Sequence, residues 1–458
     1  MRGFMIANSE NVLTFIDGVD RYLQSTDEPL PSWLKQLREQ SLTKFNQLGV
    51  PTTHDEDWKY TNIAPVVKRK YTLVQDGNFS EKEQLSPYLD PREINIVLVN
   101  GIFSSELSNL KGLPKGIRIL TWQEALTNAE TDLSQYFNTH EINKGTAFAA
   151  LNQALANDGV VIKIEDKTIV ENLIHIVSVT SFSGPDLITF PRTLILAGKS
   201  SEATVLESYL AFSNRLTYFS NALTEIFLAE NAILHYCKAQ SESLNAFHIG
   251  ATQVMQERNS HLDTFSLVVG SSIARNNLDV IANGEGTQTT LNGLYCINGR
   301  QLADNHTSVD HRLPNCTSTQ LYKGLLNGES HAVFNGKIFV RPIAQKTNSY
   351  QLNKNLILGK DCRVDTKPQL EIFADDVKCT HGATIGQLNE DEIFYLQTRS
   401  IPKQKAINML ARGFVDEILN TINNAAIRRK LNKMLEPTFD ALENAKKREN
   451  SRESTRNV

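Results

Sequence analysis

Cys379 and His381 stand two residues apart within VDTKPQLEIFADDVKCTHGATIGQLNEDEIFYLQTR, Val364 to Arg399. A thiolate and a neutral imidazole are both iron ligands, and imidazole also accepts a proton near neutral pH. In an extended chain, side chains at i and i+2 leave the same face, so both groups would point one way. One sulfur and one nitrogen supply half of a tetrahedral site. No CxxC or HxxxH elsewhere completes it, so the spacing predicts a site finished by another chain. A structural role competes with this reading, because free thiols are commonly buried and an imidazole often satisfies backbone groups alone. Asp375 and Asp376, just upstream, read as solvated carboxylates of a turn.

Other residues invite chemistry less strongly. Cys237, Cys296, His306, His311 and Cys316 match no closed zinc signature, and packing in a core is their expected duty. Gly198, Lys199 and Ser200 lack the earlier glycine of a P-loop, since Thr193 stands there, and a strand rather than a helix follows. They read as a turn, so nucleotide chemistry is not expected of this chain. In EDWKYTN (Glu56 to Asn62), Trp58, Lys59 and Tyr60 read as an anchor fixing one region to its neighbour.

The elements that must position these groups fall into three regions. To about Asn157 the pattern is mixed and helix-rich. A helix is expected from Ser32, as N-cap, to Leu48, ended by Gly49 and Pro51; another carries Phe148, Leu151 and Leu155. Short strands are expected at Ile94 to Val99 and near Ile117 to Leu120. From Val160 to about Gly386, runs such as VVIKI, TLILAG, LNGLYCING and AVFNGKIFV alternate with Asn-Gly and Gly-Lys turns. So many strands must close on themselves, and the irregular repeat without an aromatic blade motif favours a β-solenoid. From Asn389 onward the pattern is helical, with Asn389 and Glu392 as a capping box and Pro402 opening the next helix. Ile407, Leu410, Ala411, Phe414, Val415, Ile418, Leu419 and Ile422 form a stripe that must be buried, on the solenoid or on another protein.

Composition narrows the class. With 458 residues the chain is long enough for two or three domains. The 47 basic and 51 acidic residues leave a formal charge of −4, which argues against nucleic acid as a partner. Five scattered cysteines do not make a disulfide framework, so a reducing cytoplasm is expected. The opening MRGFMIANSENVLTF has no apolar core of a secretion signal, and no window nears the roughly 18 apolar residues of a membrane span.

The stretch from about Leu291 to Arg399, including QLYKGLLNGESHAVFNGKIFVRPIAQKTNSYQLNKNLIL, together with the DWKYT string, resembles the SufB/SufD family of iron–sulfur cluster assembly proteins. The Cys-x-His-Gly form followed by Gly-Gln-Leu is similar to the SufD branch. The resemblance implies a mainly β fold, a right-handed parallel β-helix flanked by helical regions. The expected divisions are 1–158, 159–388, a SufC-binding helical region at 389–445 and a charged, disordered tail at 446–458. It also implies that His381, with Cys379 beside it, handles iron or a nascent cluster transiently at an interface with SufB, no cofactor being held stably by this chain alone. SufC, the ATPase, is expected to dock on LARGFVDEIL through Leu410, Arg412, Gly413, Phe414, Val415 and Ile418. The chain is then a non-catalytic scaffold that could also self-pair in isolation. A purely structural platform for SufB and a polysaccharide-active β-helix enzyme are the rival readings.

Overall fold

The computed structural model describes residues 13–19, 30–73, 77, 79, 81–127, 133–137, 146–181 and 186–456, with side chains as far as Glu443. The first 12 residues, in which no leader was expected, lie outside the described residues, as do Asn457 and Val458.

Alternating apolar residues in short runs make strands, and here each strand pairs in parallel with the strand two further on. Glu202–Leu210 lies on Ile233–Ser241, and Tyr218–Leu228 on Phe247–Gln256. The result is a parallel β-solenoid of about seven turns, two sheets facing each other, with helices at both ends of the chain. Its last coils hold β1 (Leu302–His311), β3 (His331–Val340) and β5 (Arg363–Ile372) in one sheet. The other sheet has β2 (Thr317–Leu326), β4 (Asn348–Ile357) and β6 (Lys378–Gln387).

Two columns enforce the coil-to-coil register. Inside, Ile162, Ile195, Ile226, Val254, Val280, Val309 and Ile338 stack partner on partner. All are buried, and each contributes roughly 1.5–3 kcal/mol of apolar burial. β-Branched side chains suit this pleated wall. At one corner, Lys167, Ser200, Asn231, Asn259, Gly286, Asn315 and Lys346 all adopt left-handed backbone, with φ between 55° and 72°. Each donates its N–H to a carbonyl of the following coil, as Asn231 does to Arg258 and Lys346 to Asp376. Asn and Gly tolerate that conformation best. The Gly198–Ser200 segment belongs to this corner and is a turn, as expected.

The solenoid's first end finishes in antiparallel pairs: Ile94–Val99 with Ile102–Phe103, and Ile117–Thr121 with Val160–Ile164. Helix α1 (Ser32–Leu48) starts one residue earlier in role than expected. Pro31 is its N-cap and Ser32 its first residue, with no side-chain cap, because the fixed proline φ already presets the entry. Gly49, at φ +70°, ends it. Helix α2 (Ala147–Leu155) is held by Asn152, whose amide donates to the carbonyls of Pro191 and Asn221.

The DWKYT string explains how this region sits on the solenoid. The Trp58 ring lies 3.8 Å from the Arg275 guanidinium. Arg275 in turn bonds Asp304 at 2.6 Å and the Asp57 carbonyl at 2.7 Å, and Thr61 donates to Asp304 at 2.6 Å. Burial raises the Asp304 carboxyl, but Arg275 and His306 outweigh it and hold the group well below the usual carboxylate range. Lys337 pairs with Asp57, and Lys367 with Glu56, along the rim. Trp58 anchors as read from the sequence, with Asp57 and Thr61 beside it, whereas Lys59 is exposed and lies over the Tyr60 ring, 5.6 Å from its centroid.

After β6 come α3 (Glu390–Thr398), α4 (Lys403–Leu419) and α5 (Ala425–Arg456). Asn389 caps α3 by accepting from the Asp391 N–H, and Pro402 is the N-cap of α4. The charged segment from 446, expected to be disordered, continues α5 as helix to Arg456. Its Lys, Arg and Glu residues are good helix formers even though they cannot build a core.

Trp58→Ala should weaken the docking of the N-terminal region by about 3–5 kcal/mol. Hydrogen exchange should then speed up across Ser32–Leu48 while the solenoid stays protected. Unchanged exchange there would show that Trp58 is not the anchor.

Candidate functional site

β5 and β6 are the last strands of their sheets, and each has a single partner: β3 for β5 and β4 for β6. Among the described residues the outer edge of the final coil is therefore open. Cys379 and His381 sit on β6, paired in register with Ser349 and Gln351 of β4. The face they share is the inner one. Cys379 packs on the cluster of Ile338, Val340, Ala344 and Ala374, alongside Leu370. His381, two residues on, follows the same side of the pleat and is exposed at the mouth of the solenoid. Burial pushes the Cys379 thiol up, and hydrogen bonding to the Ser349 main chain pulls it part-way back. Ile372, Phe373 and Ile385 of this last coil are exposed apolar residues, as is Tyr350 on the outer face of the coil before it.

The pair thus gives one sulfur and one nitrogen pointing the same way. Among the described residues no group of three His, Cys, Asp or Glu side chains is placed to hold a metal ion. The other soft residues do core work. Cys237 and Cys296 lie buried under the C-terminal helices. Cys316 is buried and faces the carbonyls of Gly284, Leu313 and Pro314. His306 pairs with Asp304 at 3.0 Å, and His311 bonds Ser318 at 2.9 Å. Burial lowers His311 to about 4, so it stays neutral at physiological pH. Asp375 and Asp376 are exposed turn residues.

The stripe on α4 divides. Ala411, Val415, Ile418 and Leu419 are buried against Leu431, Leu435 and Phe439 of α5 and against Phe265 and Leu294 of the solenoid. Val415 and Ile418 are therefore taken up within the chain and do not face a partner, because α5 covers the side they occupy. Phe414 lies with its ring 3.9 Å from the Lys323 ammonium, which pairs with Glu417 at 2.8 Å. Arg412 stacks on Phe439 at 4.3 Å. Gly413 is exposed, with open space where a Cβ would stand. The outward apolar surface is instead Phe394 (67% exposed), Tyr395 (58%) and Met409 (45%), with half-buried Leu410 beside them. Sequence reasoning missed Phe394 and Tyr395, although both stand in the quoted string, five and six residues after the capping Asn389.

Residues 180–414 match the description "SUF system FeS cluster assembly, SufBD core domain", and residues 11–176 match "SufBD protein N-terminal region". The chain belongs to the SufB/SufD family. An iron–sulfur cluster assembly SufBD family protein of Synechocystis is 31% identical over 427 residues, spanning 90% of this chain and 94% of the relative. The iron–sulfur cluster assembly protein SufD of Escherichia coli is 28% identical over 399 residues, or 86% and 90% of the two chains. SufD of Bacillus subtilis is 24% identical over 425 residues, or 91% and 96%. This family member is SufD-like, in line with its Cys-x-His-Gly form. No helix among its described residues is long and apolar enough to cross a membrane.

Ile418→Ala should cost about 2–5 kcal/mol through the cavity it leaves, whereas Phe394→Ser should stay within about 0.5 kcal/mol. Denaturant titration of the two variants separates the inward from the outward face. Equal loss in both would contradict this division.

Proposed function

We propose that this chain is a non-catalytic scaffold for iron–sulfur cluster assembly that pairs with SufB through the open edges of β5 and β6. The observation that carries the reading is the mouth itself: an uncapped last coil with a thiol and an imidazole on one face and exposed apolar residues on the same coil. Unpaired strand edges invite another strand, and exposed Ile372, Phe373 and Ile385 offer apolar area to an interface core. Iron or a nascent cluster is the cargo. Cys379 and His381 offer it a sulfur and a nitrogen ligand, and SufB completes the set with further ligands, including a thiolate that receives persulfide sulfur.

The family reading assigns ATP hydrolysis to SufC. The surface of Phe394, Tyr395, Met409 and Leu410 is where SufC would bind, with Arg412 and Gly413 at its margin. Nucleotide-driven movement of SufC would then act on α3 and α4. Leu388 and Asn389 are all that separate β6 from α3, so displacement of that helix reaches His381 through few residues. Lys323, buried beneath α4 and paired with Glu417, ties the same lever to β2. Such coupling requires two arrangements that nucleotide biases, here mouth closed and mouth open. A reducing cytoplasm suits both the free thiol and the cargo.

Co-expression with SufB, SufC and a sulfur donor tests the site. His381→Ala should leave the complex intact and lower its iron–sulfur absorbance at least about tenfold. Intact complex with normal absorbance would reduce the chain to a structural platform. Phe394→Asp should weaken SufC retention by about 30-fold, the loss of one anchor residue of about 2 kcal/mol. Undiminished co-purification of SufC would move its site elsewhere.

A further inference from the structure

Gln351 lies on β4 in the inner row that ends at His381. The two are register partners on adjacent parallel strands, about 4.8 Å apart at the backbone. The Gln351 side chain is fully buried. Its Nε2 donates to Gln320 Oε1 at 2.7 Å, and Gln320 Nε2 donates to Thr307 Oγ1. The two carboxamides therefore form a directed chain. With Nε2 committed to the preceding coil, Gln351 Oε1 lies on the diverging branch, and it has no hydrogen-bond partner among the described residues.

A buried carbonyl left unpaired costs about 1–3 kcal/mol, so a group intended to fill it is the natural explanation. The fold also makes room for this amide. A Cβ on Gly336, facing it from β3, would come within 1.9 Å of Gln351 Nε2. The neighbouring row is built alike: His311 bonds Ser318 at 2.9 Å, Ser318 bonds Ser349 at 2.7 Å, and Cys379 is the register partner of Ser349.

The next side chain along the glutamine row is the exposed imidazole of His381. A neutral imidazole carries one N–H and one lone pair on different nitrogens. We propose that Gln351 is a positioning residue for His381. Its Oε1 accepts the imidazole N–H after rotation of the ring, which fixes the tautomer and turns the other nitrogen, with its lone pair, toward the cargo iron. This inference rests on the site reading given above. Hydrogen-bonded partners of this kind change metal affinity or activity by about 10–100-fold.

The test uses the full chain with 15N-labelled histidine, the His381 signals being identified by their loss in His381→Ala. Ring-nitrogen shifts report the tautomer, and cluster yield is read in parallel by co-expression with SufB and SufC. Gln351→Met keeps the volume and removes the acceptor; Gln351→Glu keeps an acceptor oxygen. One tautomer should dominate in the wild type and in Gln351→Glu. In Gln351→Met the distribution should relax to that of a free imidazole, with cluster yield down about 10–100-fold. An unchanged tautomer in folded Gln351→Met overturns the proposal. Should that variant fail to fold, Gly336→Ala displaces the amide by crowding, and the same two outcomes decide. Full cluster yield in His381→Ala would sink the site reading, while the tautomer comparison still decides this one. Loss of cluster in His381→Ala with an insensitive tautomer would leave that reading standing and reject Gln351.

Discussion

Everything in this molecule depends on each coil lying in register on the one before it. Parallel ladders fix which residue stands above which, and the left-handed corner from Lys167 to Lys346 repeats that register outside the strands. A slip of one residue would turn every inward side chain outward. The aliphatic column ending at Ile338 and Leu370 would then meet water, and Cys379 and His381 would leave the lumen face. Register is thus both the source of stability and the device that sets Cys379 and His381 on one face.

The helical regions solve a second problem, the outer faces of the sheets. Those faces carry charge that a bare solenoid could not hide. Arg275 and Asp304 are buried only because Trp58 and Thr61 come down over them. Lys323 has a fully buried side chain and finds its partner in Glu417 of α4. Burying a cation without a partner is strongly unfavourable, so each ion pair makes docking selective as well as tight. The Trp58 anchor sits on one sheet and the C-terminal helices on the other, and neither pairs with the strand edges of the last coil.

Much of this was legible in the residues. The strand runs and their Asn-Gly turns announced a solenoid, and the spacing of Ile407 to Ile422 announced a helix with one buried face. What covers that face was not legible, because α5 is distant in sequence and only packing shows that it takes Val415 and Ile418. Ser32 was misplaced as a cap because the conformational preset of Pro31 does the same job. The tail from 446 reads as disordered by hydropathy, yet its residues favour helix. Cys379 and His381 stood out by type, whereas Gln351 and Ser349 did not. Their relevance comes from being coil-mates about thirty residues upstream, an irregular spacing that pairing alone reveals.

The two ends of the solenoid are unlike. The first finishes in antiparallel pairs, and the second in two parallel strands with a single partner each among the described residues. A tube with two bare ends would string into fibres, each unit adding to the last. Coil-on-coil addition needs like parallel edges, so a pairing at the mouth, as proposed above, would not repeat at the antiparallel end. Cargo held at such a junction would be enclosed by both chains at once.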